Sequence, residues 1–376
     1  MTRRLAFLSA LPALGFALAS GCDSRLLVGE NPDASGHGGA SGTAGASHGG
    51  SAGTMASAGT AGGGTGGTFV STGTAGVGGV PVPPTSDAGI PLDAWIAFDS
   101  NGGGVNRDIY IIRADGSGRR RLTTEASADT QPSFSRDGTK LAFVSDRSGS
   151  GAQIYLMDLA TGAATRVTQR ADGAHDPAFT YDGTRIGYRS GDSVYTSKLD
   201  GTNEQVMTNG ATCCTGGPFG APVFPSNGQT IYDDYNAIYV AAATSTTRLR
   251  IIVMPTTGEQ SHPSLSPDEW NLVLQATCGG DNAARSIWLV PAMQTTAYSC
   301  SGGARLSPTG VDATHASWGP NEMIVWGSIT GGTNSNSPVP SELVTWQNGV
   351  RQTLTSGSGD DRNPSWSPTG TVIGTW

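Results

Sequence analysis

Three histidines have the residue type and the placement to take part in chemistry. They occur in the stretches HDPAF, HPSL and HASW, as His175, His262 and His315. Imidazole groups from separate parts of a chain can bind a divalent metal, especially with carboxylates nearby. No two of them form a short-spaced ligand pair, so we expect no resident cofactor and keep a divalent metal held by these histidines as the alternative.

Other polar residues occupy the same place in related stretches. Gln131, Asp176 and Asn363 correspond to His262 and His315. Acidic residues recur just before this place, at Asp129, Asp312 and Asp361. Such acids would form an acidic rim that attracts a cation or a basic segment of a partner. The alternative is that they form turns, since Asp side chains accept hydrogen bonds from nearby backbone amides.

Apart from Cys22, the chain has four cysteines, which are Cys213, Cys214, Cys278 and Cys300. An even number in an exported domain predicts disulfides, and four cysteines allow three pairings. Cys278 and Cys300 fall in one sequence repeat, which favours a bond between them. The oxidation state of Cys213 and Cys214 stays open.

The elements that must position these residues are repeats. One phrase recurs six times, at 129–145, 174–190, 219–232, 260–274, 313–328 and 361–376. Its equivalent positions are 45, 45, 41, 53 and 48 residues apart. Periods of this length are typical of propeller blades or helical arrays. Short β-branched and aromatic runs between turn residues favour strands.

Each repeat predicts four strands. A short first strand leads into a tight turn such as Asp137-Gly138, and a second strand such as LAFVS follows. The third strand carries an aromatic residue, as Tyr155 does, and the fourth resembles TRVT. We therefore expect an all-β fold, a six-bladed β-propeller of four-stranded blades. The histidines and their equivalents would then gather at one mouth of the central channel.

The first and last repeats are incomplete. WIAFDS (95–100) reads as a second strand without a first, and PSWS (364–367) as a first strand without a third or fourth. Pairing of these N- and C-terminal strands would complete a blade and close the ring. TVIGTW (371–376) also resembles a second strand, so two segments compete for that place.

The repeats resemble the WD40-like PD40 repeat of the TolB β-propeller, whose pattern is roughly P-x-W-S-P-D-G-x-x-I-A-F. PSFSRDGTKLAFVSDR and PSWSPTGTVIG carry it most clearly. The resemblance covers about residues 95–376 and implies the fold. It implies less about function, because the repeat occurs in binding proteins, peptidase accessory domains and lyases that use a His-bound metal.

Residues 1–21 are predicted to form a lipoprotein signal peptide, because an apolar run follows Arg3 and Arg4 and ends in Ala-Ser-Gly before Cys22. This ending resembles the bacterial lipobox, in which the cysteine carries the lipid. Simple cleavage after Ala-Leu-Ala is the alternative. Residues 22–92 are predicted to form a disordered tether, since residues 35–80 contain 18 glycines and no charged residue. Residues 93–376 would form the propeller.

Composition and missing motifs narrow the function. The net charge of −8, and the lack of any Lys/Arg cluster beyond Arg119-Arg120-Arg121, argue against nucleic acid as a partner. Outside the glycine-rich tether, where 45–49 and 49–53 match it through composition, no G-x-S-x-G motif occurs, and the chain has no H-E-x-x-H or P-loop motif. We expect a monomeric, non-enzymatic binding platform, exported and lipid-anchored in the cell envelope, for a basic or cationic envelope protein or glycan. The alternative is a metal-dependent polysaccharide lyase or hydrolase that uses the channel-mouth histidines.

The predicted anchor can be tested by metabolic labelling. Cells that express the chain and grow on radioactive palmitate should label it, because the lipobox cysteine carries the lipid. Cys22→Ala should abolish the label, since no other cysteine stands at that cleavage site. Label that persists in this variant, or an unlabelled wild type, would contradict the anchor.

Overall fold

The computed structural model describes residues 93–208, 220–233, 237–242, 248–252, 260–277, 284–292, 303–329, 340–357 and 359–376. The predicted signal peptide, tether and all five cysteines, with the predicted Cys278–Cys300 bond, lie outside these residues. Among the described residues no helix has the length and hydrophobicity needed to cross a membrane.

The strands form separate antiparallel sheets. In each of them the strands follow chain order from the inside of the ring outward, except that the innermost strand of blade 1 is the last strand of the chain. Blade 1 consists of β23 (Asp361–Trp366), β1 (Trp95–Ser100), β2 (Asp108–Arg113) and β3 (Arg120–Arg121). Blade 2 consists of β4 (Asp129–Phe134), β5 (Lys140–Ser145), β6 (Gln153–Asp158) and β7 (Ala164–Arg166). Blade 3 consists of β8 (His175–Phe179), β9 (Arg185–Ser190), β10 (Ser193–Lys198) and β11 (Gln205–Thr208).

The chain continues into a three-stranded sheet of β12 (Gln229–Asp233), β13 (Ile238–Ala242) and β14 (Arg248–Ile252). Blade 4 consists of β15 (Gln260–Leu265), β16 (Asn271–Ala276), β17 (Ser286–Pro291) and β18 (Ala304–Arg305). Blade 5 consists of β19 (Asp312–Trp318), β20 (Ile324–Ile329), β21 (Ser341–Gln347) and β22 (Val350–Thr353).

The prediction of six four-stranded blades is therefore wrong. In the described residues the structure has five such blades, and the three-stranded sheet stands between blades 3 and 4. At the place of its first strand only Val223 makes a bridge, to Ile231. In blade 2 the N–H of Ser135 bonds to Lys140 just after the first strand. Pro225 stands at the equivalent place and has no N–H to donate, so the strand pairing stops early.

Apolar clusters between neighbouring sheets hold the ring together. One cluster joins blades 1 and 2 and includes Ile109, Leu141 and Phe143, all fully buried. Stacked aromatic pairs repeat from sheet to sheet, with ring centroids 5.7–5.9 Å apart: Phe98–Tyr110, Phe143–Tyr155, Tyr188–Tyr195 and Tyr232–Tyr239. The predicted aromatic column is thus part of the core, as expected for a period of two along each strand.

The ring closes as predicted, through pairing of the N- and C-terminal strands, and the structure settles which segment is used. β1 (WIAFDS) pairs with both β23 and β2. Segment 371–376 forms no strand and instead reaches blade 2, where the N–H of Gly374 bonds to the carbonyl of Leu159 at 2.8 Å. β1 fits the central place better because Phe98 stacks on Tyr110, where the competing segment would offer Thr375.

A buried carboxylate reinforces this closure. Asp99 of β1 is fully buried and accepts hydrogen bonds from Arg107 Nε at 2.7 Å and Asn363 Nδ2 at 2.6 Å. The N–H of Gln131, in blade 2, is the third donor, at 3.1 Å. Arg107 also reaches Asp360 beside β23, at 2.9 Å. One side chain of the first strand therefore links both ends of the chain to the next blade.

Asp99→Asn should destabilise the fold, because the new NH₂ group would face groups that all donate hydrogen bonds. We expect a loss of about 3 kcal/mol in the free energy of unfolding, measured by urea denaturation. Arg362→Ala, which removes a half-exposed partner of Asp360, is the control and should cost much less. Equal effects of both variants would show that Asp99 is not special to the closure.

Candidate functional site

The first strands of the five blades, and the segment before β12, each place one residue near the axis of the ring. Together with the residue that follows each of the five first-strand residues, these six line a cavity of about 100 Å³. We call these six the axial residues; they are Gln131, Asp176, Ala221, His262, His315 and Asn363. The predicted gathering of Gln131, Asp176, His262, His315 and Asn363 is therefore what the structure shows, with Ala221 added.

A bulge in the first strand turns each polar axial residue toward the axis. Strand pairing shifts register between Thr130 and Ser133 in blade 2, and equivalent shifts occur in the other four blades. The five polar axial residues have φ between 51° and 54°. Non-glycine residues rarely adopt this left-handed conformation, and Asn, Asp and His tolerate it better than most.

The bulge leaves the N–H groups of axial residues without a partner on the next strand. Side chains of the preceding sheet accept hydrogen bonds from three of these N–H groups. The N–H of Gln131 bonds to Asp99 Oδ1 at 3.1 Å, and that of Asp176 bonds to Gln131 Oε1 at 3.1 Å. The N–H of His315 bonds to Gln275 Oε1 at 3.3 Å. Three of the six axial residues are thus held by a side chain of the preceding sheet.

The carboxylate at the axis is already neutralised. Asp176 accepts a hydrogen bond from Gln131 Nε2 at 2.5 Å and forms an ion pair with Arg189 Nε at 3.1 Å. Its residue surface is only 6% exposed. Asp176 therefore offers little free negative charge to a ligand.

Two histidines meet at the other side of the cavity. The ring centroids of His262 and His315 are 4.0 Å apart in an edge-to-face arrangement. Burial, then His262, then Arg285 and Arg362 hold the pKa of His315 well below its usual 6.5. At neutral pH His315 is therefore an uncharged imidazole, able to accept or donate a hydrogen bond.

Two polar atoms of these axial residues lack partners. His315 Nδ1 and Asn363 Oδ1 are buried and make no hydrogen bond to any described residue. The other side of the Asn363 amide is engaged, since Nδ2 donates to Asp99. Buried polar groups without partners are costly and rare in native proteins, so each marks a place where another molecule could complete the bonding.

His175 does not join the axial residues. It precedes Asp176 by one residue and does not line the cavity, and in the strand pairing it lies opposite Arg189 on β9. The pKa of His175 is lowered by burial and then by Arg189. Of the three histidines that the sequence singles out, only His262 and His315 come together.

The recurring acids lie in ion pairs, unlike the exposed rim that the sequence predicts. Asp129 is fully buried against Arg147 at 2.7 Å. Asp312 pairs with Arg285 at 2.5 Å, and Asp361 with Arg119 at 3.0 Å. None of the three lines the cavity, and their role in binding stays a prediction.

A metal site at the axis also stays a prediction. In the described parts of the chain no group of three or more His, Cys, Asp or Glu side chains is arranged to hold an ion. His262 and His315 supply two imidazoles, and Asp176 is engaged by Arg189. Tetrahedral sites with two ligands from the protein are not a usual arrangement.

Sequence reasoning missed the residues that support this site. Asp99 stands at the position where the next repeat has Val144. A carboxylate inside a strand of buried residues was the sequence signal that could have identified it as a supporting residue. Gln275 and Arg189 hold the same place in blades 4 and 3. Ala221 precedes a proline, as four of the other five axial residues do, but its side chain suggests no chemistry.

The comparisons with known proteins agree with this fold. Residues 90–222 match the family PD40, the TolB beta propeller domain. No curated protein matches the chain. The crystal structure of TolB from Acinetobacter baumannii aligns with a TM-score of 0.61 and 22% identity, over 74% of this chain and 68% of that chain.

Two other solved structures show how widely the fold is used. The hydrazine synthase of Kuenenia stuttgartiensis aligns with a TM-score of 0.58 and 10% identity, over 75% of this chain and 47% of that chain. A chain of the nidogen/laminin complex aligns with a TM-score of 0.56 and 11% identity, over 73% and 99%. At these identities the likeness concerns the fold. The predicted resemblance to the TolB propeller is confirmed at that level.

Acid should destabilise the protein through His315. The pKa of His315 is about 6.5 when unfolded and lies well below this in the fold. At pH values below 6.5 the unfolded state binds a proton at His315 that the folded state does not bind. The free energy of unfolding therefore decreases as the pH falls. We expect His315 to account for up to about 1.4 kcal/mol of the loss between pH 7.5 and pH 5.5. Urea denaturation of wild type and His315→Gln at both pH values tests this. An identical pH dependence in both would contradict it.

Proposed function

We propose that this chain is a non-enzymatic binding module of the cell envelope, exported and lipid-anchored through Cys22, whose axial cavity receives part of a partner protein. The observation that carries the proposal is the pair of buried, unpartnered atoms on adjoining axial residues, His315 Nδ1 and Asn363 Oδ1. A partner group that hydrogen-bonds to both would relieve their desolvation.

The shape of the site supports binding more than turnover. A volume of about 100 Å³ suits one side chain or a short turn of a partner. The uncharged His315 has no described carboxylate as a hydrogen-bond partner to orient it as a base, because its Nδ1 makes no bond. Four of the axial residues, Gln131, Asp176, His315 and Asn363, are hydrogen-bonded to side chains of a neighbouring strand or sheet, which suits a preformed site.

Charge at the site favours an uncharged partner group. Asp176 is paired with Arg189, and Asp99 with Arg107. Arg285 and Arg362 act on His315 as positive charges. The preference for a basic or cationic partner expected from the acidic residues therefore loses its support, and we expect an amide or hydroxyl group instead. Binding should change little with salt, since screening acts on charged pairs.

The comparisons give the proposal general support. The family matched over 90–222 and the TolB structure from A. baumannii share the propeller architecture, whose loops and channel mouths are common binding surfaces. The proposal of a lipid anchor rests on the sequence around Cys22. The experiment described next can identify the partner.

Site-specific photocrosslinking in cells tests the axial cavity. A benzophenone amino acid at Arg362, an exposed residue next to Asn363, should give one discrete adduct, because it lies beside the axial cavity and leaves Asn363 and His315 in place. The matched control is the same amino acid at Val350, an exposed residue of blade 5 at the other end of the strands. It should not give that adduct.

A second substitution separates specific binding from proximity. His315→Ala in the crosslinking chain should reduce the adduct, because one of the two hydrogen-bonding atoms is lost. An adduct that forms equally at both positions, or that is unaffected by His315→Ala, would contradict binding at the axis.

A further inference from the structure

A second surface lies at the opposite end of the first strands, where the turns to the second strands stand. In the seam between blades 1 and 2 this surface is covered by residues 371–376 of the chain itself. Ile373 packs against the cluster that contains Phe134 and Leu159, with Trp95 beside it. The N–H of Gly374 and Nε1 of Trp376 both donate to the carbonyl of Leu159, at 2.8 and 3.2 Å.

The seam between blades 2 and 3 has the same residues at the same places but no such cover. Strand register makes Phe179 the equivalent of Phe134 and Leu199 the equivalent of Leu159. Lys140 takes the place of Trp95. We call this seam the blade 2–3 groove; it is lined by Phe179, Leu199, Lys140, Arg136 and Tyr181 and has a volume of about 280 Å³.

Burial shows that the two seams differ in what covers them. Phe134 is 8% exposed and Leu159 is fully buried, whereas Phe179 and Leu199 are only partly buried. Among the described residues no group donates to the carbonyl of Leu199. The apolar surface and the acceptor that hold the chain's own segment in one seam are thus both free in the other.

The turn glycines show the same contrast. A Cβ on Gly138 of blade 2 would strike Thr371 and Pro368, which run along the first seam. A Cβ on the equivalent Gly183 of blade 3 would meet nothing within 4 Å. The space that the chain fills beside Gly138 is therefore open beside Gly183.

We propose that the blade 2–3 groove binds an extended segment of a partner protein in which a β-branched aliphatic side chain is followed by glycine. The occupant is inferred from the chain's own Ile373-Gly374, which fills the equivalent seam. The aliphatic side chain would pack on Phe179 and Leu199, and the following N–H would donate to the Leu199 carbonyl. The guanidinium of Arg136, 3.9 Å from the centre of the Tyr181 ring, forms the groove wall.

The two seams match only in part, and the features that they share define the sequence motif that the blade 2–3 groove would bind. Trp376 lies over Gly162 in the first seam, but the equivalent Gly201 packs against the backbone of Val167. The space for an aromatic ring is therefore taken in the blade 2–3 groove. Aliphatic residue and glycine are the elements that the groove can accept.

A synthetic peptide serves as the probe. A fluorescent peptide of residues 367–375, which omits Trp376, is titrated into the full chain, whose own segment occupies the first seam, and binding is followed by anisotropy. We expect saturable binding. A peptide with Ile373→Asp should lose it, because a carboxylate would be buried against apolar side chains.

Protein variants locate the bound peptide. Leu199→Asp should weaken binding about tenfold or more, and the milder Leu199→Ala by about threefold, which guards against a folding defect. Val350→Asp, at an exposed valine that begins β22 of blade 5, is the matched control and should leave affinity unchanged. Absence of binding would overturn the proposal. Binding that Leu199→Asp leaves unaltered would also overturn it, because the peptide would then be displacing the chain's own segment.

Discussion

Closure of the ring between β23 and β1 is the constraint on which the rest of the structure depends. A propeller sheet has two edges, and its stability comes from packing each face against the next sheet. Asp99 lies at the join and accepts hydrogen bonds from Arg107, Asn363 and the N–H of Gln131. If this join opened, blades 1 and 5 would lose their common cluster, which includes Phe98 and Trp366.

The candidate site is a consequence of the same closure. Asn363 belongs to the last strand and Gln131 to blade 2, and both are held by Asp99 of the first strand. The bulge that aims each axial residue inward frees an N–H, which the neighbouring sheet must accept. Stability of the ring and geometry of the cavity are therefore coupled, so a substitution at Asp99 should alter both.

The two ends of the first strands differ in their chemistry. At the axial end, polar residues with buried unpartnered atoms suit a hydrogen-bonding group of a partner. At the turn end, apolar seams suit an extended chain, and one of them already holds Ile373. The inferred binding of an extended segment in the blade 2–3 groove rests on the similarity of the repeats. Equivalent residues such as Leu159 and Leu199 differ mainly in what covers them.

The sequence by itself determined the repeat, the β-strands, closure by the terminal strands and the gathering of His262, His315 and their equivalents. These follow from local chemistry, since alternating apolar residues and Asp-Gly turns define strands one by one. Only the tertiary structure decided that the sheet of β12–β14 has three strands, because a missing N–H at Pro225 matters only once a partner strand is in place. It also decided that Asp129, Asp312 and Asp361 are held by arginines and that His175 stays off the axis. The choice between WIAFDS and TVIGTW was likewise tertiary, because both patterns fit a strand and only contacts from other blades distinguish them.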